Sequence, residues 1–199
     1  MERYEPGPTG LKPDDLKPWV SLGPSILMFE HPFHLPVVSE RVRLPDGREA
    51  DWIRNADSRE GVDLIDAVGA ICVRDDGKIL VSWQWNLGPQ RPVAEFPGGG
   101  VDPGETYEAA ICREVAEEVG LMPGQLEFLG RHLYDSRRSP WRIRWFVASR
   151  LEPRKLEGDE VQVATAWLTP HELDQAIAEG AIENQSMLAA WALYKARIP

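Results

Sequence analysis

Cysteine, histidine and positive charge are all scarce in this chain. Only Cys72 and Cys112 are present, each within an apolar pattern, which reads as two buried reduced thiols and excludes a disulfide framework or a cysteine zinc site. Lysine and arginine total 22 against 32 acidic residues, a net charge of −10, which argues against duplex nucleic acid or an anionic membrane as partner. No apolar run approaches the ~18 residues a membrane-spanning helix needs. The opening MERYEPGPTG has no apolar signal core, so the expected location is the cytoplasm. Repeats and low-complexity tracts are missing too. With 199 residues, 43% of them hydrophobic, the chain can form one domain with a modest appendage and a real core.

The most informative stretch is Gly99 to Leu121, GGVDPGETYEAAICREVAEEVGL. Thr106 is a natural N-cap, Glu108 suits the positive first turn, and Gly120 suits the C′ position. Between them Ile111, Cys112, Val115 and Val119 form one apolar stripe. The opposite face carries Glu114, Glu117 and Glu118, spaced i, i+3 and i+4. Such a face is either solvated or neutralised by a cation, and carboxylate oxygens without His or Cys suit a hard ion such as Mg²⁺ or Mn²⁺. Gly98, Gly99 and Gly100 permit a backbone close to phosphate or metal.

The spacing decides between these. Gly99, five residues, Glu105, seven residues, Arg113-Glu114-Val115, one residue, Glu117-Glu118, one residue and Gly120-Leu121 match the Nudix box at every position. The chain thus resembles the Nudix hydrolase superfamily. The resemblance implies an α/β fold, the Nudix α/β/α sandwich with a mixed sheet, and hydrolysis of a nucleoside diphosphate linked to another moiety. It implies Glu114 and Glu118 as principal metal ligands, Glu117 as a ligand or water-positioning group, and the Gly98 carbonyl as a further ligand. Glu105 and Arg113 are expected to pair and tie the loop to the helix. Glu95, just before the glycines, is expected as a second-site ligand, and Glu160 as the general base, with Glu157 and Asp159 as rivals in the same acidic loop.

Two domains are expected: residues 1–61, an irregular arm over 1–24 followed by a small β-sheet, and residues 62–199, the catalytic domain. Val37–Leu44 and Arg48–Arg54 flank Pro45-Asp46-Gly47, and Ala67–Arg74 and Lys78–Trp85 flank Asp75-Asp76-Gly77, two hairpin patterns. Leu126–Leu133 and Trp141–Ala148 read as strands. Thr169-Pro170-His171-Glu172 is a capping box opening a helix, and a last helix covers about Asn184–Arg197. His31 and His34, in HPFH, read as a surface loop. The N-terminal sheet has few apolar residues of its own; in the ADP-ribose pyrophosphatase-like branch a similar sheet builds a dimer, so a homodimer is expected.

Residues 131–150 hold six arginines against one acid, Asp135. Arg137 and Arg138 are the expected partners of a diphosphate, with Arg142 and Arg144 next in line. Trp85, with Trp83 and Trp141, is a candidate to stack on a base or sugar, or else is packing. The resulting expectation is a Mg²⁺- or Mn²⁺-dependent pyrophosphatase acting on a small nucleotide, a nucleoside diphosphate sugar such as ADP-ribose, and giving AMP and a sugar phosphate. The branch's usual arginines are replaced in Trp83-Gln84-Trp85-Asn86, and Ser136-Arg137 stand where its proline is common. A nucleoside triphosphate pyrophosphatase and a ligand-sensing module are the alternatives.

Overall fold

Valines separated by polar residues between Val38 and Arg43 dictate a strand with one covered face, and Val38 and Val42 are both buried. The computed structural model of the protein describes residues 17–31, 34–56, 66–86, 89–154, 156 and 164–197. The chain divides into two compact units, Met1–Ala56 and Asp57–Pro199. The domain boundary expected at 61/62 lies outside the described residues.

The first unit is a four-stranded antiparallel sheet of β1 (Val20–Ser21), β2 (Ile26–His31), β3 (His34–Arg43) and β4 (Glu49–Asn55). Strand β3 pairs with each of the others. The turn at Pro45-Asp46-Gly47 forms as expected: Gly47, at φ 86°, donates to Leu44 O at 2.9 Å. Two expectations fail. Val20 and Ser21 are strand rather than irregular arm, because the free edge of β3 at Val42 and Arg43 accepts them. His31 and His34 are a cross-strand pair of β2 and β3, not loop residues. Ile26, Leu27, Met28 and Phe29 are each more than half exposed.

The second unit contains β5 (Asp66–Cys72), β6 (Ile79–Asn86), β7 (Arg91–Glu95), β8 (Gly98–Gly100), α1 (Tyr107–Val119), β9 (Leu121–Leu133), β10 (Arg142–Pro153), β11 (Ala164–Leu168), α2 (Pro170–Ala178) and α3 (Gln185–Arg197). A mixed sheet runs β8-β5-β10-β9, with β5 and β10 parallel, and a second sheet runs β11-β6-β7. Strand β5 shows why helices cover both sides. Val68, Ala70 and Cys72 pack toward Ile111 and Val115 of α1, while Ile71 joins a cluster with Leu173 of α2 and Met187 and Trp191 of α3. Burial pushes the Cys72 thiol up to about 12, so it stays an unreactive thiol.

The hairpin expected from β5 and β6 does not form. Its turn closes, with Arg74 N–H on Lys78 O at 2.9 Å, yet only the bridge Val73–Ile79 joins the two arms. Both arms are apolar on both faces, so each gains more between two strands of its own sheet than beside the other. Among the described residues no helix is long and apolar enough to cross a membrane.

Strand β9 starts at Leu121, five residues earlier than expected, since Gly120 turns the chain directly from α1 into the sheet. Gly120 sits at φ 70°, ψ 28°, a left-handed conformation that costs a residue with a Cβ roughly 1–2 kcal/mol. Gly120→Ala should lower unfolding stability by about that amount, as read from urea titration followed by circular dichroism. No loss would show that the cap conformation is unimportant.

Candidate active site

Helix α1 begins where expected: the Thr106 hydroxyl accepts the Ala109 N–H at 3.1 Å. Its acidic face is not the solvated side. Glu114 and Glu118, one turn apart, are only 8% exposed, because they lie along the margin facing β8. Gly98 donates its N–H to Glu118 Oε2 at 3.2 Å. A Cβ on Gly99 would meet both carboxylate oxygens of Glu114 under 3.0 Å, so a larger residue there would displace the end of the Glu114 side chain. Gly98 is more tightly constrained: its Cβ would strike the Val68 carbonyl, which is backbone.

Arg113 gathers the surrounding acids. Its Nε donates to Glu105 Oε1 at 3.2 Å, and its Nη2 to Glu105 Oε2 and the Gly100 carbonyl, both at 3.0 Å. Its Nη1 reaches Glu114 Oε1 at 2.8 Å and Glu117 Oε2 at 3.1 Å. The expected loop-to-helix pair therefore exists and extends to two further carboxylates. These partners push the guanidinium further toward its charged form, the Glu105 hydrogen bond contributing most, and the same bond holds the Glu105 carboxyl below its usual range.

Beyond Gly98 and Gly99 opens a cleft of about 240 Å³. Phe96, Ile143, Trp145 and Met187 give it apolar walls, and Asn86, Glu95, Tyr134, Asn184 and Ser186 supply polar atoms. No lysine or arginine lines it among the described residues. Glu95 is half-buried, and burial raises its carboxyl above the usual range against the opposing hydrogen bond from Asn86. Asn184 Oδ1 accepts the Met187 N–H at 3.0 Å and so caps α3, whereas the buried Ser186 Oγ has no partner among the described residues.

The remaining candidates are dispersed. Glu160 and its rivals Glu157 and Asp159 lie outside the described residues. Arg137 and Arg138 are exposed on the turn after Tyr134, where Arg137 N–H donates to Asp135 Oδ1 at 3.0 Å and Arg138 N–H to the Asp135 carbonyl at 3.1 Å. Trp85 is 64% exposed on β6, adjacent to cleft-lining Asn86. Trp83 packs on the core, Trp141 lies near Tyr134, and the Arg144 guanidinium covers the Tyr107 ring at 4.0 Å. Sequence reasoning missed Trp145, Tyr134 and Ser186 as cleft residues. Their signals were faint: glycines at 69 and 130, and an Asn cap ahead of the last helix.

The Arg113–Glu105 contact fixes a pH dependence. A carboxyl whose folded pKa is depressed contributes stability above its unfolded pKa, and that contribution is lost as pH falls through the folded value. Arg113→Met should therefore destabilise the fold at neutral pH, and the difference from wild type should shrink as pH drops below the ordinary value of 4.5. Denaturant titrations across that range check it; a difference independent of pH would remove Glu105 from the account.

The NUDIX domain description matches residues 63–191. An ADP-ribose pyrophosphatase of Bacillus subtilis is 30% identical over 125 residues, 61% of this chain and 64% of that protein. An RNA pyrophosphohydrolase of Hydrogenovibrio crunogenus is 41% identical over 64 residues, 32% of this chain and 36% of its own length. The chain therefore spans less than two thirds of the curated relatives it matches. A solved structure described as an ADP compounds hydrolase superposes with a TM-score of 0.79 at 21% identity, covering 90% of this chain and 94% of the other, which shows a shared fold. With a domain match over more than half its length and an unbroken box around Arg113, the chain belongs to the Nudix family.

Proposed function

We propose that this protein is a divalent-metal-dependent hydrolase that cleaves the pyrophosphate of a nucleoside diphosphate sugar, ADP-ribose being the leading candidate. One observation carries the reading. Two buried carboxylates, Glu114 and Glu118, are lodged against the Gly98–Gly99 strand, and those glycines also line a cleft that has no lysine or arginine among the described residues. The α1 side of the strand suits a cation and phosphates; the apolar walls of the cleft, Phe96, Ile143, Trp145 and Met187, suit an uncharged part of the same substrate. The similarity to an ADP-ribose pyrophosphatase favours this substrate class, while the similarity to RNA pyrophosphohydrolases stops after 64 residues.

Among the described residues no three His, Cys, Asp or Glu side chains converge closely enough to chelate an ion as they stand. The donor chemistry nevertheless fits a hard divalent ion: Glu114 and Glu118 are carboxylates on adjacent turns, both buried against one strand, and carboxylate oxygens suit such an ion. Glu114, Glu118, Glu117, Glu95 and the Gly98 carbonyl would hold Mg²⁺ or Mn²⁺. Such an ion neutralises phosphoryl oxygens and lowers the pKa of a bound water. Arg113 keeps Glu114 and Glu117 oriented and ties them to the loop through Glu105 and Gly100. Glu160 is the proposed base that takes the proton from the attacking water. Arg137 and Arg138 are proposed to meet the diphosphate, and Trp85 to flank the base or sugar.

A homodimer is part of the proposal. The apolar run Ile26–Phe29 of the first unit is exposed in the single chain and wants cover. Light scattering at micromolar concentration should give twice the chain mass; a fully active monomer would contradict it.

Incubation with NDP-sugars, dinucleotides and nucleoside triphosphates, with Mg²⁺ or Mn²⁺, tests the activity. AMP and a sugar phosphate from ADP-ribose are expected, and Arg137→Ala or Arg138→Ala should raise KM about tenfold. Release of phosphate from triphosphates alone would overturn the substrate class. The glycines give a sharper comparison. Gly99→Ala should displace Glu114 and lower kcat by about 10²-fold. Gly100→Ala, whose Cβ meets nothing within 4 Å, should leave kcat nearly unchanged. Equal effects of both substitutions would sink the role given to the Gly99–Glu114 contact.

A further inference from the structure

Trp145 is held in a way that ordinary core packing does not require. Both of its cross-strand neighbours are glycines, Gly69 on β5 and Gly130 on β9. A Cβ at Gly69 would meet three atoms of the indole's six-membered ring, all under 3.0 Å. The ladder to β9 also shifts register between Trp145 and Phe146. The indole thus lies over β5, against the cleft, and is only 3% exposed.

In this orientation the indole Nε1–H donates to His132 Nδ1 at 3.0 Å, and the two ring planes differ by 17°. An acceptor at Nδ1 assigns the neutral tautomer with its proton on Nε2. Burial holds the imidazole below its usual pKa, consistent with that tautomer. Nε2 is buried and has no hydrogen-bond partner among the described residues. A leucine of similar bulk would fill the space but leave the buried indole N–H without this acceptor, so filling space does not account for histidine here. What histidine adds is the acceptor that meets the indole.

We propose that His132 is a positioning residue whose Nδ1 fixes Trp145 as the wall against which the uncharged part of the substrate rests. This builds on the pyrophosphatase reading, because the cleft is taken as the substrate's. The missing side chain at Gly69 gives the indole the space it occupies over β5, and the hydrogen bond to His132 selects its orientation there. A tilted indole narrows the cleft next to Gly98 and Gly99, so substrate fit suffers while the carboxylates on α1 keep their places.

The test uses ADP-ribose as probe, together with the indole N–H resonances of the ligand-free protein, Trp145 being assigned from Trp145→Phe. His132→Leu removes the acceptor. It should shift the Trp145 resonance and raise KM about tenfold, with kcat held within about twofold. His132→Asn offers an amide oxygen close to where Nδ1 was and should restore both the resonance and most of KM. In the Trp145→Phe background, His132→Leu should cause no further rise in KM. If His132→Leu does not fold, Trp145→Phe alone must raise KM, since it keeps a ring but lacks the donor. An unchanged resonance and KM in folded His132→Leu, an Asn variant no better than Leu, or additive effects in the double variant would overturn the proposal. No turnover of ADP-ribose by the wild type would instead refute the pyrophosphatase reading, and the resonance would still report on the hydrogen bond.

Discussion

The structure depends on how closely a glycine strand approaches a helix that carries buried acids. Gly98 and Gly99 lie against Glu118 and Glu114, and a side chain at Gly99 would occupy the position of the Glu114 carboxylate. Burying two carboxylates at adjacent turns is costly unless their charge is answered. Arg113 answers part of it, reaching Glu114 and Glu117 with one nitrogen and Glu105 and the Gly100 carbonyl with the rest of its fork. Those contacts join the loop before α1 to the middle of the helix, so the box behaves as one cross-braced unit. Lysine has a single point of charge and cannot make these four connections.

From that unit outward the fold follows sheet by sheet. Strand β8 is only Gly98–Gly100, but it pairs with β5, and β5 pairs in parallel with β10. The alternation along β5 sends Val68, Ala70 and Cys72 toward α1 and Ile71 toward α2 and α3. The acids therefore belong to the α1 layer, and the cleft opens where Trp145, Phe96 and Met187 of the other layer meet the same glycines. A substrate with phosphates at one end and an uncharged group at the other matches this division.

Local rules carried the sequence reading where local forces decide. Thr106 and Gly120 bracket α1 because a hydroxyl can serve the first N–H groups and only glycine turns left-handed cheaply. The capping box at Thr169 and Glu172 forms for similar reasons. The pairing of β5 was not legible, since a tight Asp-Asp-Gly turn suggests a hairpin and nothing local reveals that each arm is destined for another sheet. The burial of the acidic face of α1 was not legible either: helical spacing places three glutamates together but cannot say which sheet edge will cover two of them. The cleft was the least visible feature. It is assembled from residues between Ala67 and Met187, and Trp145 lies over Gly69, a residue far off in the chain.

The claim that Glu114 and Glu118 are buried in order to hold a divalent cation is most directly tested by binding, without substrate. Mn²⁺ titration of the wild type, followed by electron paramagnetic resonance of the free ion, should show saturable binding. Glu118→Gln should weaken it by at least about tenfold, and substitution of the exposed Glu108 by Gln should leave it unchanged. Equal affinity in wild type and in a folded Glu118→Gln protein would contradict the account.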